Sequence, residues 1–331
     1  MDFHAEFFPK AFPVKISHRN KLLLVGSCFT EQIGNKLSQH KFAVMENPNG
    51  ILFNPVSISN AVISYTTRKM YEENDLFHYN ELWGSWQHHT KFSNIEKARA
   101  LDAINHSQGK ANGFIKETDW ILLTLGSAFV YENTVAENDD TYKNVVANCH
   151  KVPADKFKRR LLDTAEIKNV LAAMMKAVKK INPAVNFIFT VSPVRHLREG
   201  FIENNRSKAA LIQAIHSLTN DIDVFYFPAY ELVIDDLRDY RFYAEDMVHP
   251  NYAATNYVWE KFIATCIDEP SQQLMKEISV IVAAKNHKAF NPTSEQHKKF
   301  LQTNLEKVER LQQQYPYINF NDEKAGFRHS V

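Results

Sequence analysis

Glycine is scarce, with 9 in 331 residues, about 3% against a usual ~7%. Each glycine inside a patterned segment therefore needs a local reason. Cysteine is scarcer still: Cys28, Cys149 and Cys266 are odd in number, widely spaced, and outside any CxxC or HxxH word. Neither a disulfide frame nor a zinc site is expected, and no metal or cofactor is called for. Charge of one sign is also lacking, since 39 Lys+Arg face 38 Asp+Glu for a net charge of +1. Nucleic acid is then not an expected partner, because phosphate binding leaves a basic surplus. No apolar run approaches the ~20 residues that cross a bilayer. The opening MDFHAEFFPKAF lacks the basic start and continuous apolar stretch of a signal peptide. A cytoplasmic protein with no membrane partner is expected.

What is present is core-forming material, 44% hydrophobic and 12% aromatic, with 14 His. Four short apolar runs, Leu22–Val25, Trp120–Leu125, Phe187–Val191 and Val224–Phe227, read as strands covered on both faces, with a weaker one at Phe42–Met45. Helical stripes lie between them. Phe29, Ile33 and Leu37 follow the first strand. Phe157, Leu161, Ile167, Val170, Met174, Val178 and Ile181 precede the fourth and stop at Asn182 and Pro183. The alternation predicts an α/β fold, a three-layer α/β/α sandwich with a mostly parallel sheet.

Residues 74–113 carry Trp83, Trp86, His88 and His89, then a helical stretch over Ile95–Ile104, and read as an insertion over one sheet edge. Beyond residue 267 the character changes. Leu274, Ile278 and Ile281 form one amphipathic stripe, and Phe300, Leu301, Leu305, Val308 and Leu311 form another, with Thr293 and Gln296 at capping-box spacing. The organisation expected is a domain over residues 1–267 and a C-terminal helical extension over 268–331. Two helices there would pack back on the core or against a partner, a second copy of the chain included.

Two stretches carry chemistry. Leu22 to Val25 runs into Gly26, Ser27 and Cys28 as a helix stripe begins. Ser27 is thereby set at the carboxyl end of a central strand and near a helix N-terminus, where ligands and developing oxyanions are favoured. A tight turn with a capping hydroxyl has the same pattern, and Cys28 reads as a small packing residue. The second stretch is Asp246-Met247-Val248-His249-Pro250. One turn presents Asp246 and His249 together, so the carboxylate can fix the imidazole tautomer and free its other nitrogen as a base. A surface helix cap would look alike.

Taken in order, Gly26-Ser27-Cys28-Phe29-Thr30, Asn49 to Pro55, Asn148-Cys149-His150-Lys151, Ser192-Pro193-Val194-Arg195-His196 and Asp246 to Pro250 resemble the GSCFA-domain family of the SGNH (GDSL-like) hydrolases. The resemblance covers roughly residues 1–265 and implies a flavodoxin-like hydrolase fold. It also implies a triad of Ser27 as nucleophile, His249 as general base and Asp246 as its orienting acid, acting on an ester through an acyl-enzyme. The oxyanion donors it implies are the Ser27 amide and Gly50. At the third place the chain reads Leu125-Gly126-Ser127, without the Asn of the superfamily's Gly-x-Asn-Asp word. The Gly126 amide and the Asn54 side chain remain alternative donors.

Position gives further candidates for substrate contact. Arg195 and His196 follow the fourth strand, Asn148 and His150 belong to a loop near the site, and His88 and His89 could form a lid with the insertion tryptophans. The expected substrate is a small-molecule or carbohydrate ester. A serine esterase or deacylase leads. An acyltransferase shares its covalent step, and a non-catalytic binding module would keep the fold without turnover.

Overall fold

A computed structural model describes residues 4–134 and 144–328. Strand β1 (Lys21–Gly26) has five consecutive buried residues and passes directly into α1 (Cys28–Gln39), whose stripe of Phe29, Ile33 and Leu37 is buried as its spacing predicts. Strand β2 (Ala43–Glu46) follows, then α2 (Pro55–Thr67). Proline stands at the first position of α2, and the Asn54 side chain accepts the Ser57 N–H, a cap worth ~1 kcal/mol. The hairpin β3 (Phe77–Tyr79) and β4 (Leu82–Gly84) leads to α3 (Lys97–Ile115) and β5 (Trp120–Leu125). A second hairpin, β6 (Phe129–Asn133) with β7 (Phe157–Leu161), precedes α4 (Thr164–Ile181), β8 (Asn186–Val191), α5 (Phe201–His216) and β9 (Val224–Tyr226). A short turn, α6 (Ala229–Glu231), widens into a π-helical Leu232–Leu237, and α7 (Tyr252–Cys266) closes this part.

The central sheet has the order β2-β1-β5-β8-β9 and every pairing is parallel. One face carries α2 to α5 over a core that includes Leu23, Leu123, Leu171, Phe187 and Leu211; the other carries α1 and α7 over Phe29, Trp120, Ile188 and Phe262. From β1 the chain moves outward to β2 and then returns past β1 to β5. The strand order therefore reverses between β1 and β5, the crevice where open α/β sheets bind ligands at their carboxyl ends. Ser27 follows β1 and Gly126 follows β5.

Four expectations need correction. Phe157 and Leu161 belong to β7, not to the α4 stripe. The helix starts after Asp163, which accepts the Glu166 N–H while the Glu166 side chain reaches back to the Asp163 N–H. Helix α3 is not confined to an insertion over a sheet edge: Ala111 and Ile115 enter the main core against α2, and only its first turns serve the satellite cluster around Tyr71 and Leu76. Among the described residues the tail holds three helices, α8 (Glu269–Asn286), α9 (Glu295–Gln314) and α10 (Asn321–Arg328). Ser294, not Thr293, caps α9, its hydroxyl accepting the His297 N–H at 3.2 Å.

The two predicted tail stripes meet one another, with Ile318, Phe320 and Phe327 completing a cluster of their own. The tail also docks on the sheet domain. Met275 enters the core of the α1 and α7 face, the His18 N–H donates to Ser271 Oγ, and Lys41 pairs with Glu323 at 2.7 Å with little exposure on either side chain. Among the described residues no helix is long and apolar enough to cross a membrane.

Candidate active site

Gly26 ends β1 with φ +153°, and a Cβ there would lie 2.3 Å from the Thr124 carbonyl oxygen. Only glycine lets β1 pass this close to β5, and the turn it makes delivers Ser27 to the start of α1. The Ser27 side chain caps nothing. The residue is 1% exposed, and among the described residues its Oγ has no hydrogen-bond partner. The hydroxyls of neighbouring Thr30 and of Thr124 are buried and unpartnered as well. Buried polar groups are rarely left so, and a gathering of them marks a place built for something other than stability. Cys28 beside it is half-buried, and burial raises its thiol pKa, which argues against a thiolate nucleophile.

The Asp246–His249 turn is already assembled. Asp246 Oδ1 accepts the backbone N–H of Val248 at 2.9 Å and of His249 at 3.0 Å, while Oδ2 lies 2.7 Å from His249 Nδ1. Met247 takes the left-handed conformation (φ 56°) that lets the chain fold back around the carboxylate. The His249 amide, then its ring, then the Val248 amide hold the Asp246 carboxyl down to about 2. The carboxylate is therefore ionised across the neutral range and fixes Nδ1 as the donor, so Nε2 is the acceptor. The Arg195 N–H donates to the Val248 carbonyl at 3.2 Å, which ties this turn to the segment after β8.

His196 lies between the two halves. A Cβ on Gly126 would lie 3.2 Å from His196 Nε2, and the ring meets Phe53 edge-on. Burial, then the charges of Lys208 and His249, push its imidazole down to about 3, so it is neutral at physiological pH. Lys208 is the residue that sequence reasoning missed. On α5, 2% exposed, its ammonium donates to the Gly126 and Ser192 carbonyls at 2.7 Å each, joining the ends of β5 and β8 from below. Its signal was there: Asn204, Lys208, Leu211 and Ile215 lie on one buried stripe.

A cleft of about 790 Å³ opens beside these groups and brings together Asn54, Asn148, His150, Arg195 and His196 among the predicted contacts. Ser27 and His249 do not line it, and no hydrogen bond joins Ser27 to His249. The expected lid is not built. His88 is 1% exposed, its Nδ1 3.0 Å from Ser85 Oγ and its ring edge-on to Tyr71 and Phe92, and burial holds it down to about 3. His89 caps the short helix Thr90–Phe92, and its Cβ would lie 2.3 Å from one on Gly50.

The amides named for the oxyanion all donate to protein carbonyls: Ser27 to Thr124 at 3.2 Å, Gly50 to Asn47 at 2.7 Å and Gly126 to Phe53 at 2.8 Å. Asn54 Nδ2 gives one proton to Ser57 Oγ at 3.0 Å and has a second to give. Among the described residues no three His, Cys, Asp or Glu side chains gather as a metal would require.

The model described as the GSCFA family matches residues 21–262, and that described as GSCFA domain protein, C-terminal domain, matches residues 278–331. No curated protein matches the chain. Among solved structures the chain is similar to a carbohydrate esterase family 3 protein from Talaromyces cellulolyticus, at 11% identity and TM-score 0.37 over 79% of this chain and 99% of that one. It is similar also to a putative platelet activating factor from Streptococcus pneumonia, at 13% identity and TM-score 0.37 over 73% and 82%. An acetyl xylan esterase from the rumen bacterium Butyrivibrio proteoclasticus overlaps it at 11% identity and TM-score 0.36, over 78% and 64%.

Proposed function

Because the chain belongs to the GSCFA family, we propose that it is a serine hydrolase of ester bonds, removing small acyl groups from a carbohydrate or related metabolite. Ser27 is the nucleophile, His249 the general base and Asp246 the residue that orients it. The observation that carries this reading is the prebuilt Asp246–His249 pair, with both carboxylate oxygens engaged, on the same carboxyl edge as a buried, unpartnered serine hydroxyl. His249 Nε2 takes the Ser27 proton as Oγ attacks the ester carbonyl carbon, and returns it to the departing alcohol. Water then attacks the acyl-enzyme by the same route. The His249 side chain is 44% exposed, so water reaches the base, which favours hydrolysis over transfer to a second alcohol.

The step requires Ser27 and His249 to come within hydrogen-bond reach, and catalytic contacts are often long before substrate arrives. Asn54 Nδ2 is the donor proposed for the oxyanion. A binding module on this scaffold is the second reading, favoured by the three occupied amides. A fluorophosphonate probe separates the two. Labelling at Ser27, abolished in Ser27→Ala and strongly slowed in His249→Gln, supports the hydrolase; labelling at Cys28 or nowhere rejects it.

A further inference from the structure

We propose that the cleft beside the β1–β5 crevice binds an anionic group of the substrate, a carboxylate or a phosphate, so that the ester hydrolysed is itself negatively charged. The inference rests on the hydrolase reading for its reaction and on the cleft alone for its charge. Three cations line that cleft, Lys151, Arg195 and Arg198, and among the described residues no Asp or Glu does. In a chain whose charges otherwise balance almost one for one, 39 against 38, three cations without a facing acid are a local surplus.

The three are also available. Arg195 has its guanidinium 4.0 Å from the Tyr243 ring centre and 5.0 Å from that of Tyr240, and its contact with the Met247 carbonyl is a long one, 3.5 Å. Stacking on a ring immobilises a guanidinium while leaving its N–H edge for a ligand, the arrangement that suits planar recognition of carboxylate or phosphate. Arg198 lies over Tyr131 at 5.8 Å, and among the described residues no carboxylate pairs with it. Lys151 is exposed, carried outward by a left-handed backbone (φ 61°). The nearest acid of the catalytic machinery, Asp246, is committed to His249. The volume is that of a small-molecule site, and Asn54 in its wall connects it to the proposed oxyanion position.

The experiment pairs esters that differ in charge: 4-nitrophenyl butyrate against 4-nitrophenyl hemisuccinate on the acyl side, and 4-nitrophenyl acetate against 3-carboxy-4-nitrophenyl acetate on the alcohol side. In at least one pair the anionic member is expected to have the higher kcat/KM by tenfold or more, after correction for uncatalysed hydrolysis. That ratio should shrink with added NaCl and collapse towards one in Arg198→Glu, a substitution at an exposed position. Which pair shows the preference identifies the side that carries the charge, and adding inorganic phosphate as a competitor separates a phosphate preference from a carboxylate one.

Equal rates within both pairs, unmoved by Arg198→Glu, overturn the inference and leave the hydrolase intact. Should no ester turn over, calorimetric titration of Ser27→Ala with the same four compounds still decides. Tighter binding of the anionic member supports the charged cleft without the chemistry, and equal or absent binding overturns it.

Discussion

Lys208 donates a hydrogen bond of 2.7 Å to the Gly126 carbonyl from a fully enclosed position, with no carboxylate among the described residues to balance its charge. Burial pushes this ammonium down to about 7 from an ordinary 10.5. The unfolded chain keeps the proton throughout that interval, so it binds more protons than the folded protein between pH ~7 and ~10, and stability rises with pH there. Below pH 7 both states carry the proton and the contribution is flat. Urea unfolding at pH 7, 8 and 9 should show that rise in the wild type and its loss in Lys208→Met. The variant should also be weaker at pH 9 by roughly 1–3 kcal/mol for each strand-end carbonyl it strands.

Asp246→Asn keeps the size of the side chain and loses the charge that fixes the imidazole. In the proposed mechanism the group acts on the base and not on substrate, so the expected fall in kcat is about 10²–10⁴ with KM little changed. Because the carboxyl is held at about 2, wild-type activity lost between pH 6 and 4 cannot come from its protonation. Steady-state kinetics across that range tests both statements.

Gly26→Ala places a methyl group 2.3 Å from the Thr124 oxygen in a backbone conformation that L-residues avoid. A loss of about 2–4 kcal/mol is expected. Chemical denaturation measures it, and a loss under 1 kcal/mol would mean that β1 and β5 can separate at the crevice.

His88 and His196 are both held neutral to about 3. Folded pKa values below the ordinary 6.5 mean that the unfolded chain takes up protons first as pH falls. Stability is then lost progressively from pH ~6.5 to ~3, by on the order of a few kcal/mol for each histidine. His88→Phe should remove about half of that slope while leaving fluorophosphonate labelling of Ser27 intact, because His88 packs against Tyr71 and Phe92 and not against the cleft.

Lys41→Met leaves Glu323 buried without its partner, at a cost of about 3–5 kcal/mol. Adding Glu323→Leu should recover most of it. Thermal unfolding of the single and double variants checks the pair, and additive losses would show that the tail does not dock through this contact.

Much of this fold could be read in the residues because buried parallel strands are apolar at every position. Trp120–Leu125 is the extreme case, with six buried residues in six. Gly26-Ser27 and Asp246–His249 were legible as local geometry, a sharp turn and a three-residue spacing, and the structure builds the second as a closed hydrogen-bonded pair. Phe157 and Leu161 were misread because a spacing of four satisfies both a helix, where it is one turn, and a strand, where it returns to the same face. The Lys158-Arg159-Arg160 run between them leaves only the two ends of the strand apolar and removes the alternation that would have decided it. Lys208 escaped notice for a different reason: a lysine is read as solvent-facing by default, and its burial depends on two carbonyls that arrive from β5 and β8. His88 reads as part of a lid because its sequence neighbours are aromatic, yet the rings of Tyr71 and Phe92 close over it.

The amino end of the chain is zipped to α7: the Phe12 N–H donates to the Thr265 carbonyl, the Ile16 N–H to the Cys266 carbonyl, and Ile16 bridges Ile267. On a ribosome, Ser27 emerges more than two hundred residues before the partners that seat its own leading segment. The nascent polypeptide must therefore wait, its first strand unshielded on one side, until α7 has cleared the exit tunnel. Fragments released before that point would leave the apolar residues of that face open to water.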